Sequence, residues 1–309
     1  MHVALYFPRR LPVQGPGGTQ RVVLWLAQGL AELGHTVSLL ALRGTQCRHA
    51  RVVPLEPSAL EGSAFDLTRY MPDSADLLHS HVPLARPPRV PHLFTWHGNA
   101  RAGEVLPPNV VFLSADHAHR HGRDAFVYNG LDLSDYRFER AKEDYHLFIG
   151  RLHAAKGWRW AILGARRAGR RIVLAGGWRP TLRRGVRFVG EVDGERKARL
   201  LAGARCLWMP AQWAEPFGLT LIEALASGTP VVGTRQGALP EIVDAATGRL
   251  GDTLEELVEL VPAVESLDPA ACRARVERFF THRAMAEGYL RMYAALADHG
   301  ALPTFLPHA

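Results

Sequence analysis

Residues 2–42 read HVALYFPRRLPVQGPGGTQRVVLWLAQGLAELGHTVSLLAL, and this stretch decides the fold class. A short apolar run opens it, and a loop rich in proline and glycine follows. Thr19 is suited to cap a helix that continues to about Leu33, because apolar residues recur along one face, and Gly34 then ends the helix. A second apolar run completes the segment. A strand, a helix and a strand in this order predict a parallel α/β unit.

The rest of the chain repeats this alternation. The first half predicts further strands at 51–55, 76–79, 92–95, 110–113 and 126–128. The second half predicts strands at 147–150, 171–175, 187–189, 206–209 and 231–233, and helices at 158–168, 195–202, 218–226 and from about residue 254 onward. Residues 132–144 are polar and lack apolar periodicity, so we place a domain linker there.

The predicted fold class is therefore α/β, with two Rossmann-like domains that face each other across a cleft. We expect an N-terminal domain over 1–140, a C-terminal domain over 141–285, and a helical tail over 286–309 that can pack back on the N-terminal domain. Ligands of such sheets bind outside the carboxyl ends of the strands. The stretch from Leu55 to Asp76 is too short for a full helix–strand unit, so the N-terminal domain is expected to be reduced.

The three cysteines are far apart and show no spacing typical of a zinc site or a disulfide framework: Cys47, Cys206 and Cys272. The N-terminus lacks the charged and apolar regions of a signal peptide, and no stretch reaches the roughly 20 apolar residues of a membrane-spanning helix. We expect a cytoplasmic protein, with a peripheral contact to the inner face of the membrane left open. The oligomeric state is also left open.

Basic charge is concentrated in one region of the chain. The net charge is +7, and no acidic residue occurs between Asp144 and Glu191, a stretch that contains many arginines. Three readings remain open: a solvated basic face, an anion site for a phosphorylated ligand, or attraction to nucleic acid or an anionic membrane. The solvated basic face is the simplest of these readings, and we expect no nucleic acid partner.

The most informative motif lies within residues 213–240. Glu215 and a following proline are expected to open a helix, so that the backbone amides of Gly218 and Leu219 form an anion site at its positive end. Glu223 follows eight residues later, which corresponds to roughly 12 Å along a helix axis. A hydrolytic carboxylate pair needs about 5–9.5 Å, so these two suit opposite ends of an elongated ligand better. The alternative is a helix cap and a solvated helix residue.

A second motif, Gly150-Arg151-Leu152, ends a strand, and Lys156 opens the next helix. A guanidinium and an ammonium at such a turn suit a diphosphate, although they could be ordinary surface cations. Two weaker signals are the glycine pair Gly17-Gly18, which is not a full dinucleotide fingerprint, and His97 at a strand end, which could be structural.

Taken together and in order, these motifs resemble the retaining GT-B glycosyltransferases of family GT4. The resemblance covers nearly the whole chain and is most specific over 147–248. It is carried by Gly17-Gly18, His97-Gly98, Asn129-Gly130-Leu131-Asp132, Gly150-Arg151-Leu152, Lys156-Gly157, Glu215-Pro216-Phe217-Gly218, Glu223-Ala224, Gly228-Thr229-Pro230-Val231 and Pro240-Glu241.

The resemblance implies a diphosphate site made by cations and backbone amides. Arg151 and Lys156 would neutralise the diphosphate leaving group, and the amides of Gly218 and Leu219 would add to the phosphate and sugar site. The glycine loop at Gly17-Gly18 would close over the diphosphate.

The resemblance also assigns three side chains to the donor sugar and nucleoside. Glu215 would hold hydroxyls of the transferred sugar, Glu223 the donor ribose, and His97 would lie near the reacting sugar. The catalytic set is thus Arg151, Lys156, Glu215 and His97. The implied donor is a nucleotide-diphosphate sugar, with UDP-glucose as the default, and the implied acceptor is a small molecule or a lipid-linked hydroxyl. Family chemistry retains the anomeric configuration.

No Asp-x-Asp motif of the metal-dependent transferases occurs, so we expect neither a metal nor another cofactor. The alternatives are a nucleotide-sugar epimerase or hydrolase on the same scaffold; a nicotinamide-dependent oxidoreductase is disfavoured because the dinucleotide fingerprint is missing. His117 and His121 have a spacing that a metal could share on a helix, against a solvated helix as the simpler reading. Near the first loop, Arg9, Arg10 and Trp25 are candidates to meet an anionic or lipid acceptor.

Overall fold

The structure of the protein is a computed structural model that describes residues 1–13, 15, 17–60, 65–101 and 103–302. The chain divides into two units. The first holds Met1–Val13, Gly17–Gly130 and the chain from His282, and the second holds Leu131–Thr281. The boundaries lie after residues 130 and 281, whereas the sequence placed them after 140 and 285. Residues 132–144, predicted as a linker, therefore belong to the second unit.

The first unit is built on a parallel sheet of six strands with the order β3-β2-β1-β4-β5-β6. Its elements, in chain order, are β1 (His2–Tyr6), α1 (Gly18–Glu32), β2 (Thr36–Leu42), β3 (Arg51–Leu55), α2 (Pro57–Leu60), a 3-10 helix (Leu67–Tyr70), β4 (Leu77–Ser80), β5 (His92–Thr95), β6 (Val110–Val111) and α3 (Ala115–His119). The central strands are almost fully buried, as expected for a parallel sheet covered on both faces.

Two local predictions in this unit were wrong, and one expectation agrees with the structure. Helix α1 is capped by Gly17 without a side-chain hydrogen bond, so Thr19 lies inside the first turn and caps nothing. The strand predicted at 126–128 is reduced to one isolated bridge between Phe112 and Phe126. Between β3 and β4 the described residues form only short helical turns and no strand, in line with the expectation of a reduced domain.

The second unit repeats the plan with a parallel sheet of order β12-β11-β10-β7-β8-β9. Its elements are a 3-10 helix (Leu133–Asp135), β7 (His146–Ile149), a second 3-10 helix (Ala154–Lys156), α4 (Trp158–Arg167), β8 (Ile172–Ala175), β9 (Val186–Phe188), α5 (Gly194–Gly203), β10 (Cys206–Met209), α6 (Leu219–Ala226), β11 (Val231–Thr234), α7 (Leu239–Ile242), β12 (Gly248–Gly251), α8 (Leu254–Glu265) and α9 (Pro269–Phe279). The core lies between the sheet and helices α4 and α8, around the fully buried Trp208.

A buried polar network ties α8 to the start of the sheet. Arg170 donates two hydrogen bonds of 2.6 Å to Glu265. His146 is fully buried, donates from Nε2 to Glu265 at 2.7 Å, and accepts at Nδ1 from Trp208 Nε1 at 2.8 Å. Burial raises the pKa of Glu265, but the hydrogen bonds from Arg170 and His146 outweigh it and leave that pKa below its ordinary value.

Helix α10 (His282–His299) returns to the first unit and packs against α1. The helices approach so closely at Gly29 that an added Cβ would lie 2.4 Å from the carbonyl oxygen of His282. Tyr289 and Tyr293 on α10 are buried against the sheet of the same unit. Across the described ranges, which exclude the last seven residues, no helix is long and apolar enough to span a bilayer.

Candidate functional site

In the second unit, the loop after β7 brings Lys156 against the end of β10. Gly157 adopts φ 70°, and a Cβ there would lie 1.7 Å from the carbonyl oxygen of Pro210, so only glycine fits. The amide of Gln212 donates to Ala155 at 2.8 Å and fixes the same contact. The loop geometry therefore holds Lys156 beside the segment that carries Glu215.

Glu215 lies in a cluster with Lys156 and Trp213. Both of these residues contact the same oxygen of the Glu215 carboxylate. Lys156 Nζ lies 2.6 Å from Glu215 Oε2, and Trp213 Nε1 donates to that oxygen at 2.9 Å. The Lys156 ammonium also lies 4.7 Å from the centre of a Trp213 ring, in cation–π geometry. Oε1 of Glu215 has no hydrogen-bond partner in the described part of the chain, so it is available to a ligand.

The structure starts this helix at Leu219, within one residue of the predicted range 218–226, so Glu215 does not open it as expected. Gly218 has φ 86° and caps α6, which starts at Leu219. Glu215 and Pro216 therefore lie in the preceding loop, and a separation of Glu215 and Glu223 calculated along one helix axis does not apply. The backbone of Gly237 packs against this loop. A Cβ added at Gly237 would lie only 2.3 Å from the carbonyl oxygen of Glu215, so the loop has little room to move on that side. Helix α6 starts without a capping side chain, which keeps the anion site predicted at Gly218 and Leu219 chemically reasonable.

Glu223 is buried, and both of its carboxylate oxygens have partners. Tyr136 donates from its hydroxyl to Oε1 at 2.8 Å, and Lys197 Nζ lies 2.5 Å from Oε2. Glu223 and Lys197 are only 1% and 7% exposed. The alternative of a solvated helix residue was therefore wrong. The expected contact with a donor ribose stays a prediction.

Arg151 follows β7 and is exposed. Within the residues that the structure describes, no carboxylate lies within ion-pair distance of its guanidinium. Arg151 thus differs from Lys156, which already has a carboxylate partner, and it presents an uncompensated positive charge to solvent.

In the first unit, Gly17 and Gly18 lie where α1 begins. A Cβ on Gly17 would lie 2.5 Å from Val13, so this glycine allows a close approach of the loop to the helix start. The intervening Gln14 and Pro16 lie outside the described residues. Trp25 is only 5% exposed, because α1 turns it inward, and the suggestion that it meets an acceptor was wrong.

His97 follows β5 and is half-buried. Its Nε2 lies 2.9 Å from Nδ1 of His81, which follows the neighbouring strand β4. Burial lowers the pKa of His97 to about 4, so its ring is neutral near pH 7. His81 is therefore a specific partner of His97 that the sequence analysis missed. The signal that could have indicated it is the pair of histidines in His79-Ser80-His81 at the end of a predicted strand.

His117 and His121 use their ring nitrogens in hydrogen bonds. His117 accepts at Nδ1 from the amide of Leu113 at 3.3 Å, so its Nε2 donates to the carbonyl of Gly98 at 2.8 Å. His121 accepts at Nε2 from Ala100 at 3.0 Å and donates from Nδ1 to the carbonyl of His117 at 2.7 Å. All four ring nitrogens are used, which disfavours the shared metal. His117 is fully buried, so the solvated helix was also wrong for that residue.

Comparisons with known proteins agree on one family. The family described as Glycosyl transferases group 1 matches residues 143–267. AviGT4, a glycosyltransferase involved in avilamycin A biosynthesis, is 33% identical and has a TM-score of 0.81, with 96% of this chain and 98% of AviGT4 covered. A phosphatidyl-myo-inositol mannosyltransferase of Propionibacterium freudenreichii subsp. shermanii is 26% identical over 302 residues, which covers 77% of this chain and 78% of that protein.

The fold is shared more widely than the sequence. Anabaena HepE, solved in complex with UDP-glucose, has a TM-score of 0.70 at 16% identity, with 96% of this chain and 100% of HepE covered. The two parallel sheets of six strands are those of the GT-B fold. The chain therefore belongs to the group 1 glycosyltransferases of family GT4, and it is a glycosyltransferase.

Proposed function

We propose that this glycosyltransferase moves a hexose, by default glucose, from a UDP-sugar to a hydroxyl acceptor, with retention of configuration and without a metal or another cofactor. The cluster of Lys156, Trp213 and Glu215, with the uncompensated Arg151 on the same unit, carries the proposal. The UDP and UDP-glucose complexes of HepE support the choice of donor. The names of the reported relatives, which are transferases, favour transfer over epimerisation or hydrolysis.

Catalysis in this proposal is electrostatic. As the bond from the anomeric carbon to the β-phosphate oxygen breaks, negative charge develops on the departing diphosphate, and the side chains of Arg151 and Lys156 stabilise it. The acceptor oxygen bonds to the anomeric carbon on the same face, and its proton passes to an oxygen of the departing phosphate. The cations take the part that a metal ion plays in metal-dependent transferases, so no carboxylate nucleophile and no metal are needed.

Glu215 has the geometry expected of a sugar-hydroxyl acceptor. Its Oε2 is held by Lys156 and Trp213, and this leaves Oε1 for a sugar hydroxyl. The amides of Gly218 and Leu219, at the uncapped start of α6, suit the diphosphate. On the first unit, Gly17, Gly18 and His97 are assigned to donor closure and to the reacting sugar.

The acceptor is proposed to be a small molecule or a lipid-linked hydroxyl, reached in the cytoplasm or at the inner face of the membrane. The name of AviGT4 favours a small-molecule acceptor, and the name of the phosphatidyl-myo-inositol mannosyltransferase favours a lipid-linked one. The loop after β8 exposes Trp178 and Leu182 to 64% and 105%, next to three arginines, which suits a peripheral contact with anionic lipid. The free state of all three cysteines agrees with a reducing compartment.

The first experiment is a product analysis with several UDP- and GDP-sugars against a cell extract, with and without EDTA. Transfer from a UDP-sugar that EDTA leaves unchanged supports the proposal. Thermal unfolding supplies the binding test, because UDP at about 100 times its dissociation constant stabilises the folded state by about 2.7 kcal/mol. NAD should not shift the unfolding temperature.

Substitutions then test the electrostatic role. We expect Arg151→Ala and Lys156→Ala each to lower kcat by about 10²–10³, the loss typical of a preorganised donor to a developing anion. Arg166→Ala is the matched control, since it removes an exposed positive charge of the same unit. Near-normal turnover in both site variants contradicts the mechanism.

A further inference from the structure

Three histidines form a stack at the carboxyl ends of β4 and β5. The rings of His79 and His81 lie 4.2 Å apart between centroids, and those of His81 and His97 lie 5.2 Å apart. His79 and His81 are 0% and 4% exposed. This edge of a parallel sheet is where ligands bind, so the arrangement bears on how His97 meets its ligand.

Hydroxyl groups hold the His79 ring of this stack in place. His79 Nδ1 lies 2.7 Å from the hydroxyl of Tyr293, and its Nε2 lies 2.7 Å from Oγ1 of Thr95. Thr95 in turn lies 2.8 Å from the hydroxyl of Tyr289. Both ring nitrogens of His79 are thereby used, so its ring is a fixed surface against which His81 stacks.

The pair of His81 and His97 shares one proton between two ring nitrogens, and the surroundings decide which ring donates it. Nδ1 of His81 lies 2.9 Å from Nε2 of His97, while Nε2 of His81 is buried without a hydrogen-bond partner. If His97 were the donor, neutral His81 would carry its own proton on that buried, unpartnered nitrogen. An orphaned buried N–H group is rarer in proteins than an unsatisfied acceptor. The structure thus favours a proton on Nδ1 of His81.

The other nitrogen of His97 has a different environment. Nδ1 of His97 has no hydrogen-bond partner among the described residues. Unlike Nε2 of His81, this atom is not fully buried. It is therefore within reach of solvent or of a ligand. A neutral imidazole carries one proton, so an accepting Nε2 requires that Nδ1 be the donor.

We propose that His81 is a positioning residue for the transferase reaction: its Nδ1–H donates to Nε2 of His97, and His97 consequently presents Nδ1–H as a hydrogen-bond donor to an oxygen of the bound sugar donor. The inference rests on the proposed function, in which His97 meets the reacting sugar. His79 supports the pair by stacking against His81, while its own ring nitrogens bond to Tyr293 and Thr95.

The primary test is ¹⁵N NMR of the full-length protein labelled on its histidine rings, without any substrate. The nitrogen chemical shifts distinguish protonated from unprotonated ring nitrogens, and His81→Phe and His97→Gln assign the signals. We expect protonated Nδ1 and unprotonated Nε2 in both rings. A protonated Nε2 on His97 overturns the proposal. Because this readout needs no turnover, its failure is distinguishable from failure of the proposed function.

The second test separates positioning from mere packing. His81→Asn can place an amide N–H near the former Nδ1, whereas His81→Phe keeps a stacked ring without a donor. We expect His81→Phe to show Nε2-protonated His97 and about a tenfold loss in kcat/KM for the sugar donor, with UDP still raising the unfolding temperature as in the wild type. His81→Asn should keep the wild-type His97 tautomer and stay within about twofold in kcat/KM.

Equal kcat/KM for the phenylalanine and wild-type proteins overturns the positioning role, even where the tautomer is as expected. His92→Asn is the matched control, because His92 begins β5 at the opposite end from the stack and its ring Nδ1 donates to the carbonyl of Val90, away from His81 and His97. If His81→Phe fails to fold, the wild-type spectrum and the asparagine variant still decide the tautomer.

Discussion

Replacing Trp213 by phenylalanine tests whether the shape of the Glu215 site matters apart from its charge. The substitution removes the indole N–H that donates to Glu215 Oε2 at 2.9 Å, and it leaves an aromatic face against Lys156. A hydrogen bond to a charged group contributes about 1.5–3 kcal/mol. We take the lower end, because Trp213 is only half-buried and Lys156 still holds the same oxygen.

A loss of about 1.5 kcal/mol corresponds to roughly a tenfold lower kcat/KM. The assay is initial-rate kinetics with the best UDP-sugar, and thermal unfolding reports whether the fold is retained. Trp160→Phe is the matched control, since Trp160 packs against the core of the same unit and is not part of the cluster. Unchanged kcat/KM in Trp213→Phe, with Trp160→Phe also unchanged, refutes the idea that Trp213 holds Glu215 in its productive position.

Three further predictions concern stability, each measured by unfolding. Gly157→Ala should destabilise by about 2–3 kcal/mol, because alanine disfavours positive φ and its Cβ meets Pro210; a smaller loss than 0.5 kcal/mol, on the order of a surface change, contradicts this. Lys197→Met should cost about 3–5 kcal/mol by leaving the buried charge of Glu223 without its cation, and adding Glu223→Gln should recover part of that loss. The lowered pKa of Glu265 stabilises the fold above its unfolded pKa of about 4.3, and this stability is lost as pH falls through the folded pKa. The difference between wild type and Glu265→Gln should therefore shrink below about pH 4, and a constant difference argues against it.

The alternation of strands and helices was predictable because it depends on local apolar periodicity. The start of α6 at Leu219 likewise lies within one residue of the predicted 218–226, but the expectation that Glu215 opens this helix was wrong, because Gly218 adopts φ 86° and leaves Glu215 in the preceding loop. A glycine in a sequence is compatible with many backbone conformations, so its presence alone does not place a helix boundary.

The partners of the site residues were harder to predict than the residues themselves. Lys156 and Glu215 were both selected, but nothing in a separation of 59 residues shows that they form an ion pair. Lys197 was overlooked as the partner of Glu223 because it occurs in an ordinary charged helix. Such pairs depend on how the sheet orders its strands, and strand order is a property of the whole unit and not of any motif.

The pairing of Lys156 with Glu215 resolves an electrostatic difficulty in the proposed mechanism. A carboxylate that holds sugar hydroxyls must lie near the diphosphate of the same donor, and two anions about 4 Å apart repel by roughly 4 kcal/mol near a protein surface. Lys156 contacts Glu215 Oε2 at 2.6 Å and neutralises it before the donor arrives. The exposed guanidinium of Arg151 then remains as net positive charge for the diphosphate. Lys156→Ala should consequently weaken UDP-sugar binding more than Glu215→Gln does, because the first change leaves an unpaired carboxylate beside the phosphates and the second removes it.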